Sequence, residues 1–147
     1  MSIEAEVERV RRQMDVANTR MLEGDSRSWK ELLSRREDVT LLGAYGGRMT
    51  GWAEVSARFD RTAATYGAGG RTGREPIATW VSPDLACIVD LERHETHLGE
   101  TAKSVTFVYR TTHVLRREDG SWKVVLRHAD PLETFRGPAF AHGLERE

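Results

Sequence analysis

Lys103–Asp130 reads KSVTFVYRTTHVLRREDGSWKVVLRHAD, and this stretch decides the fold. On both sides of Arg117-Glu118-Asp119-Gly120-Ser121, β-branched and aromatic residues alternate with polar ones, the period-two pattern of a strand. Asp and Gly tolerate the left-handed backbone of a short hairpin turn, so two long strands joined by a tight connection are expected. With Glu118-Asp119-Gly120 as a three-residue loop, Arg117 faces Ser121. Arg110, Thr112 and Val114 then share a face with Val124, Leu126 and His128, while Tyr109, Thr111 and His113 share the other with Val125 and Arg127. A one-residue slip or a bulge exchanges these sets. A hairpin this long must lean on other elements, and polar residues on its apolar face need partners.

Upstream, strands are expected over roughly 72–82 and 84–97, with turns at Pro83-Asp84 and at Leu98-Gly99-Glu100-Thr101. Before them, Trp52, Val55, Phe59 and Ala63 recur at helical spacing from Gly51 to about Tyr66, and Gly67-Ala68-Gly69-Gly70 ends that helix. Val39 to Tyr45 reads as a strand, turned by Gly46-Gly47 into a short return over Arg48-Met49-Thr50. Ser28-x-x-Glu31 is a capping box for a short helix burying Trp29, Leu32 and Leu33. At the N-terminus, Ile3, Val7, Val10, Met14, Ala17 and Met21 form one apolar stripe, with Ser2 as N-cap and Gly24 closing the helix. Helices first and antiparallel strands after describe an α+β fold in which a curved sheet wraps a long helix. No repeat or long linker divides residues 1–147, so one domain is expected, with the tail from Pro131 loose or packed on a partner chain.

Composition narrows the function. Lys and Arg number 22 against 23 Asp and Glu, so a net charge of −1 supplies no field to recruit nucleic acid or anionic membrane. Basic residues are interleaved with acidic ones, and no nucleic-acid face emerges. The opening MSIEAEVERV starts an amphipathic helix rather than a signal peptide, and no apolar run reaches membrane-span length, so the cytoplasm is the expected address. Cys87, the single cysteine, sits in Ala86-Cys87-Ile88-Val89 and reads as a buried, inert thiol. Glycines 43, 46, 47 and 51 lack the Lys-Ser/Thr of a phosphate loop.

The pattern Arg110-x-Thr112-x-Val114-x-Arg116, Glu118-Asp119-Gly120-x-Trp122, Val125-x-x-His128-x-Asp130 resembles the C-terminal hairpin of nuclear transport factor 2-like proteins. Within that superfamily it is most like the SnoaL-like branch, and it is also similar to the association domain of calcium/calmodulin-dependent protein kinase II. Element order and length extend the resemblance to nearly the whole chain. It implies a cone-shaped α+β fold with an internal pocket, and a homodimer. No single reaction follows, because the superfamily hosts isomerases, cyclases, dehydratases, epoxide hydrolases and non-catalytic members.

Several residues are candidates for a site. His113 takes a position that resembles an inward-facing, carboxylate-binding Arg of the kinase association domain. An imidazole there can do acid–base work that a fixed cation cannot, or it is a core histidine bonded across the sheet. His128 and Asp130 share a strand face at a spacing that lets the carboxylate orient the imidazole, although Asp130-Pro131 also simply ends a strand. Arg110 needs a carboxylate, with Asp90, Glu92 and Glu95 as candidates, for a salt bridge or for substrate. Arg93 and Glu95 share the parity of Cys87, Val89 and Leu91, which places Arg93 in the cavity. Tyr109 and Arg127 lie on the His113 face, and Tyr45, Trp52 and Trp80 supply either a pocket wall or plain core. His94-Glu95-Thr96-His97 is not a metal motif, since strand residues three apart face opposite ways; it reads as a solvated strand end. No metal and no cofactor are expected.

Three functions fit these residues. One is a cofactor-independent lyase, isomerase or cyclase acting on a small apolar oxygenated substrate, with His113, His128 and Asp130 as catalytic residues and Arg93, Tyr109, Arg110, Arg127, Tyr45, Trp52 and Trp80 binding substrate. The second is a non-catalytic ligand-binding domain using the same pocket, and the third an oligomerisation module. The Asp base with Tyr and protonated Asp donors of ketosteroid isomerase-like relatives finds no full counterpart in the sequence.

Overall fold

The computed structural model describes residues 1–97 and 103–133. Helix α1 (Ile3–Leu22) begins where the Ser2 hydroxyl accepts the Ala5 amide at 3.1 Å, and it buries Val7, Val10, Met14, Ala17 and Met21. Its inner stripe also carries Arg11 and Asn18, both buried, so this face has a polar row beside the apolar one.

Helix α2 (Arg27–Leu32) starts one residue before the expected capping box. Ser26 precedes it, and its hydroxyl donates to Asp60 at 2.6 Å instead of capping the helix. Strands β1 (Thr40–Leu42) and β2 (Met49–Thr50) pair antiparallel, and α3 (Trp52–Ala64) follows. Gly51, ahead of α3, has φ +89, a conformation that a side chain would strain.

Four long strands complete the chain: β3 (Gly70–Val81), β4 (Leu85–His97), β5 (Ser104–Glu118) and β6 (Ser121–Pro131). The sheet order is β2-β1-β6-β5-β4-β3, with β1 parallel to β6 and every other pair antiparallel, so the expected antiparallel sheet is a mixed one. Register shifts at Pro76/Ala78 and at Val114/Leu115 each insert an extra residue, and such bulges sharpen twist and let the sheet curve. The expected turn at 98–101 and the tail beyond Glu133, with His142, lie outside the described residues.

The concave inner face divides into two zones. Near the β3–β4 and β5–β6 turns, Ala86, Ile88, Leu115 and Val124 pack against the helices. Further along the same face the buried residues become Asp90, Glu92, His94, Thr96, Thr111 and His113. Among the described residues no helix is long and apolar enough to cross a membrane.

Candidate functional site

The hairpin turn sets the site's geometry. Asp119 (φ +50) and Gly120 (φ +81) form a two-residue connection, so Glu118 rather than Arg117 faces Ser121. That moves the register by one residue, and the bulge at Val114/Leu115 moves it by one more. Beyond the bulge the two shifts restore the expected parity, and His113 lies directly opposite Arg127. On the turn side they do not, and Val124 faces inward opposite Leu115.

On β4 the facing is the reverse of the sequence reading. Ala86, Ile88, Asp90, Glu92, His94 and Thr96 point inward and are buried, while Cys87, Val89 and Leu91 lie half-buried on the outer face. Arg93 is therefore exposed, paired with Glu95 at 3.2 Å, and is not in the cavity. The apolar parity misled because the inner charges are compensated from other strands and from α1. Arg11 meets Asp90 at 3.1 Å, and Arg74 meets Asp90 at 2.6 Å, Glu92 at 3.4 Å and Asp15 at 2.7 Å. Burial pushes the Asp90 carboxyl up, against the pull of Arg74 and Arg11. These carboxylates serve the inner arginines and not Arg110.

Glu92, 0% exposed, is the hub. Arg127 donates to it through both terminal nitrogens, each at 3.0 Å. Burial alone would raise this carboxyl, but the Arg127 charge, with hydrogen bonds from His94 and Arg127, holds it well below the usual carboxylate range. Arg127 Nη1 also donates to His113 Nε2 at 2.8 Å, and its guanidinium lies 5.2 Å over the Trp29 ring. His113 stacks on Trp29 at 5.7 Å. Burial, with the Arg127 charge beside it, pushes its imidazole down to about 3, so His113 is a neutral acceptor that steadies Arg127. It is not on the cavity wall, and a proton acceptor this depressed is a poor base near neutral pH.

His94, 5% exposed, is the residue the sequence reading missed. The sequence places it in a solvated strand end, yet it faces inward while His97 lies half-buried on the opposite face. His94 Nε2 meets Glu92 Oε1 at 3.2 Å. An ionised Glu92 can only accept, so Nε2 carries a hydrogen, and in the neutral imidazole the lone pair is then on Nδ1. Among the described residues Nδ1 is buried without a partner. Locally the alternation Asp90-x-Glu92-x-His94 reads as a solvated face; only its partners on other elements mark it as a buried network.

The cavity beside His94 has a volume of about 90 Å³. Its apolar wall comes from Met21, Trp29, Leu41, Met49, Phe59 and Phe107. The His94 ring lies 5.7 Å from those of Phe107 and Tyr109. Tyr45 and Tyr66 join hydroxyls near the mouth, and Tyr45 meets Tyr109 edge-on. Burial, then contact with Tyr45, raises both Tyr66 and Tyr109 above the ordinary phenol range, so both stay protonated O–H donors.

Of the residues expected in a site, Tyr45, Tyr109 and Arg127 lie on this wall. The rest are elsewhere. His128 is exposed on the outer face, and Asp130 is held by Arg110 at 2.8 and 3.0 Å, so no His128–Asp130 dyad forms and Arg110 is an outer-face ion pair. Trp52 lies under Arg35 at 4.6 Å and packs against the core. Trp80 is 61% exposed on the outer face, because its parity matches that of Cys87 opposite it.

No family model and no curated protein matches the chain. Solved structures do. A nuclear transport factor 2-like superfamily protein from Salmonella enterica has a TM-score of 0.76 at 13% identity, over 92% of this chain and 98% of that one. A ketosteroid isomerase-like protein from Erwinia carotovora gives 0.73 at 17% identity, over 88% and 96%. A calcium/calmodulin-dependent protein kinase II association-domain-like protein from Thiobacillus denitrificans gives 0.65 at 19% identity, over 90% and 96%. The long first helix, the curved six-stranded sheet and these likenesses give the chain the α+β cone fold of the nuclear transport factor 2-like superfamily.

Proposed function

We propose that this protein is a cofactor-independent enzyme that moves a proton on a small apolar oxygenated substrate, with His94 as the base. The observation that carries this reading is His94 on the wall of an apolar cavity, its Nε2 tied to the Glu92 carboxylate and its Nδ1 without a partner among the described residues. A carboxylate that fixes the tautomer and stabilises the imidazolium is the arrangement a histidine base needs. Arg127 completes it by holding Glu92 ionised and in place. The chemistry that fits is removal of a proton from carbon next to a carbonyl, the oxygen charge being met by the Tyr109 or Tyr66 hydroxyl. Return of the proton to another atom gives an isomerase, and loss of a group from the adjacent carbon gives a lyase. Likeness to a protein described as ketosteroid isomerase-like supports the reaction class, here with His in place of an Asp base.

The test is exchange of α-protons of cyclic ketones in D2O, followed by NMR. Wild-type protein is expected to accelerate exchange, and His94→Gln to lose about 100-fold or more of that acceleration. Ketones that bind without exchange would make the cavity a binding site only.

The outer sheet face supports a second proposal, a homodimer. Trp80, Cys87, Val114 and Leu126 sit in register across β3, β4, β5 and β6, and among the described residues no helix covers this row. An apolar row of this kind on an open sheet face fits a two-fold contact with a second copy of the chain.

A further inference from the structure

Arg58 stands apart from the other arginines at the cavity. Arg127 on its wall is neutralised by Glu92. Arg58, on α3, also lines the cavity, but among the described residues no carboxylate lies within salt-bridge distance of it, and its Nε is buried without a partner. The neighbouring acids are engaged elsewhere: Glu54 accepts the Thr50 amide at 3.1 Å, and Asp60 is held by Ser26 at 2.6 Å and Lys30 at 3.1 Å. Arg58 Nη2 comes within 3.9 Å of where a Cβ on Gly47 would sit, so the guanidinium lies beneath the 43–47 turn at the mouth. Thr62, one turn further along α3, and Tyr45 and Tyr66 line the same cavity.

Arg58 is half-buried at the mouth, and a partly desolvated cation without a counter-ion among the described residues favours an anionic ligand. We infer that the ligand of this cavity is a small monocarboxylate, its carboxylate paired with Arg58 at the mouth and its apolar body directed inward toward Trp29 and His94. The inference rests on the reading of the cavity as the ligand site, and it adds the substrate's charge. A cavity of about 90 Å³ limits the enclosed body to a short chain or part of one ring. A guanidinium bonds a carboxylate through two parallel N–H donors, which Lys reproduces only as a point charge.

The experiment is calorimetric titration of the whole chain with butyrate against butyramide, and benzoate against benzamide. Wild-type protein is expected to bind each acid at least about tenfold more tightly than its amide. Arg58→Gln should abolish that preference. Arg58→Lys should keep part of it and serves as the folded control. Loss of ketone exchange in His94→Gln tests the base, whereas the acid-over-amide preference of wild type against Arg58→Gln tests the anion subsite, so the two readings fail separately. Equal or absent binding of acids and amides, or a preference that survives Arg58→Gln, overturns the inference.

Discussion

Glu92 and Arg127 meet across the inner face of the sheet through two N–H···O bonds of 3.0 Å, although their strands β4 and β6 are separated by β5. The long guanidinium stem passes His113 to reach the carboxylate, and the histidine accepts one of its hydrogens. Charge, tautomer and ring position are thereby coupled in four residues: Arg127, Glu92, His113 and His94.

Breaking this pair leaves a buried charge unmatched. Glu92→Gln is expected to destabilise the fold by about 3–5 kcal/mol. The double replacement Glu92→Leu/Arg127→Met should cost less than the two single changes together, because both charges leave at once. Urea denaturation of wild type, Glu92→Leu, Arg127→Met and the double variant measures the coupling, and strict additivity would show that the pair does not act as a unit.

His113 gives stability a pH dependence of definite sign. Its imidazole is depressed from 6.5 to about 3, so between those values the unfolded chain binds a proton that the folded chain does not. Its contribution is full above about 6.5 and is lost as pH falls toward 3, at up to about 1.4 kcal/mol per pH unit. The depressed Glu92 acts in a lower window, below its ordinary value of 4.5. Comparing urea midpoints at pH 7 and pH 5 should therefore show a larger drop in wild type than in His113→Gln. Parallel drops would mean that His113 is not held neutral.

The tautomer of His94 is open to direct measurement. Nitrogen NMR of ¹⁵N-histidine-labelled protein should show an unprotonated Nδ1 and a protonated Nε2 for this residue. Glu92→Gln should remove that bias, since an amide can present either a donor or an acceptor to the ring. A protonated Nδ1 in the wild type would remove His94 as the base.

The outer row predicts an assembly. Trp80→Asp, at a site 61% exposed in the single chain, is expected to leave thermal stability nearly unchanged while converting a dimer to a monomer in light scattering. A wild-type monomer at high micromolar concentration would end the homodimer proposal.

The elements of this fold were legible because each rests on local chemistry. The stripe Val7–Val10–Met14–Ala17–Met21 has helical spacing, and the Ser2 cap follows from its residue type. The long strands around Asp119-Gly120 follow from alternation and from the two residues that accept positive φ. What the chain could not declare locally was which face of β4 turns inward. Cys87, Val89 and Leu91 outweigh Asp90, Glu92 and His94 on any hydropathy argument, yet the charged set is buried.

The physical reason is that a buried charge is decided by its partners, and these come from Arg11 on α1, Arg74 on β3 and Arg127 on β6. The sequence by itself determined the element order, the helix stripe, the hairpin and the fold class. Only the tertiary structure decided that His94 rather than His128 faces the cavity, because three arginines distant in the chain neutralise the charged face of β4 that turns inward.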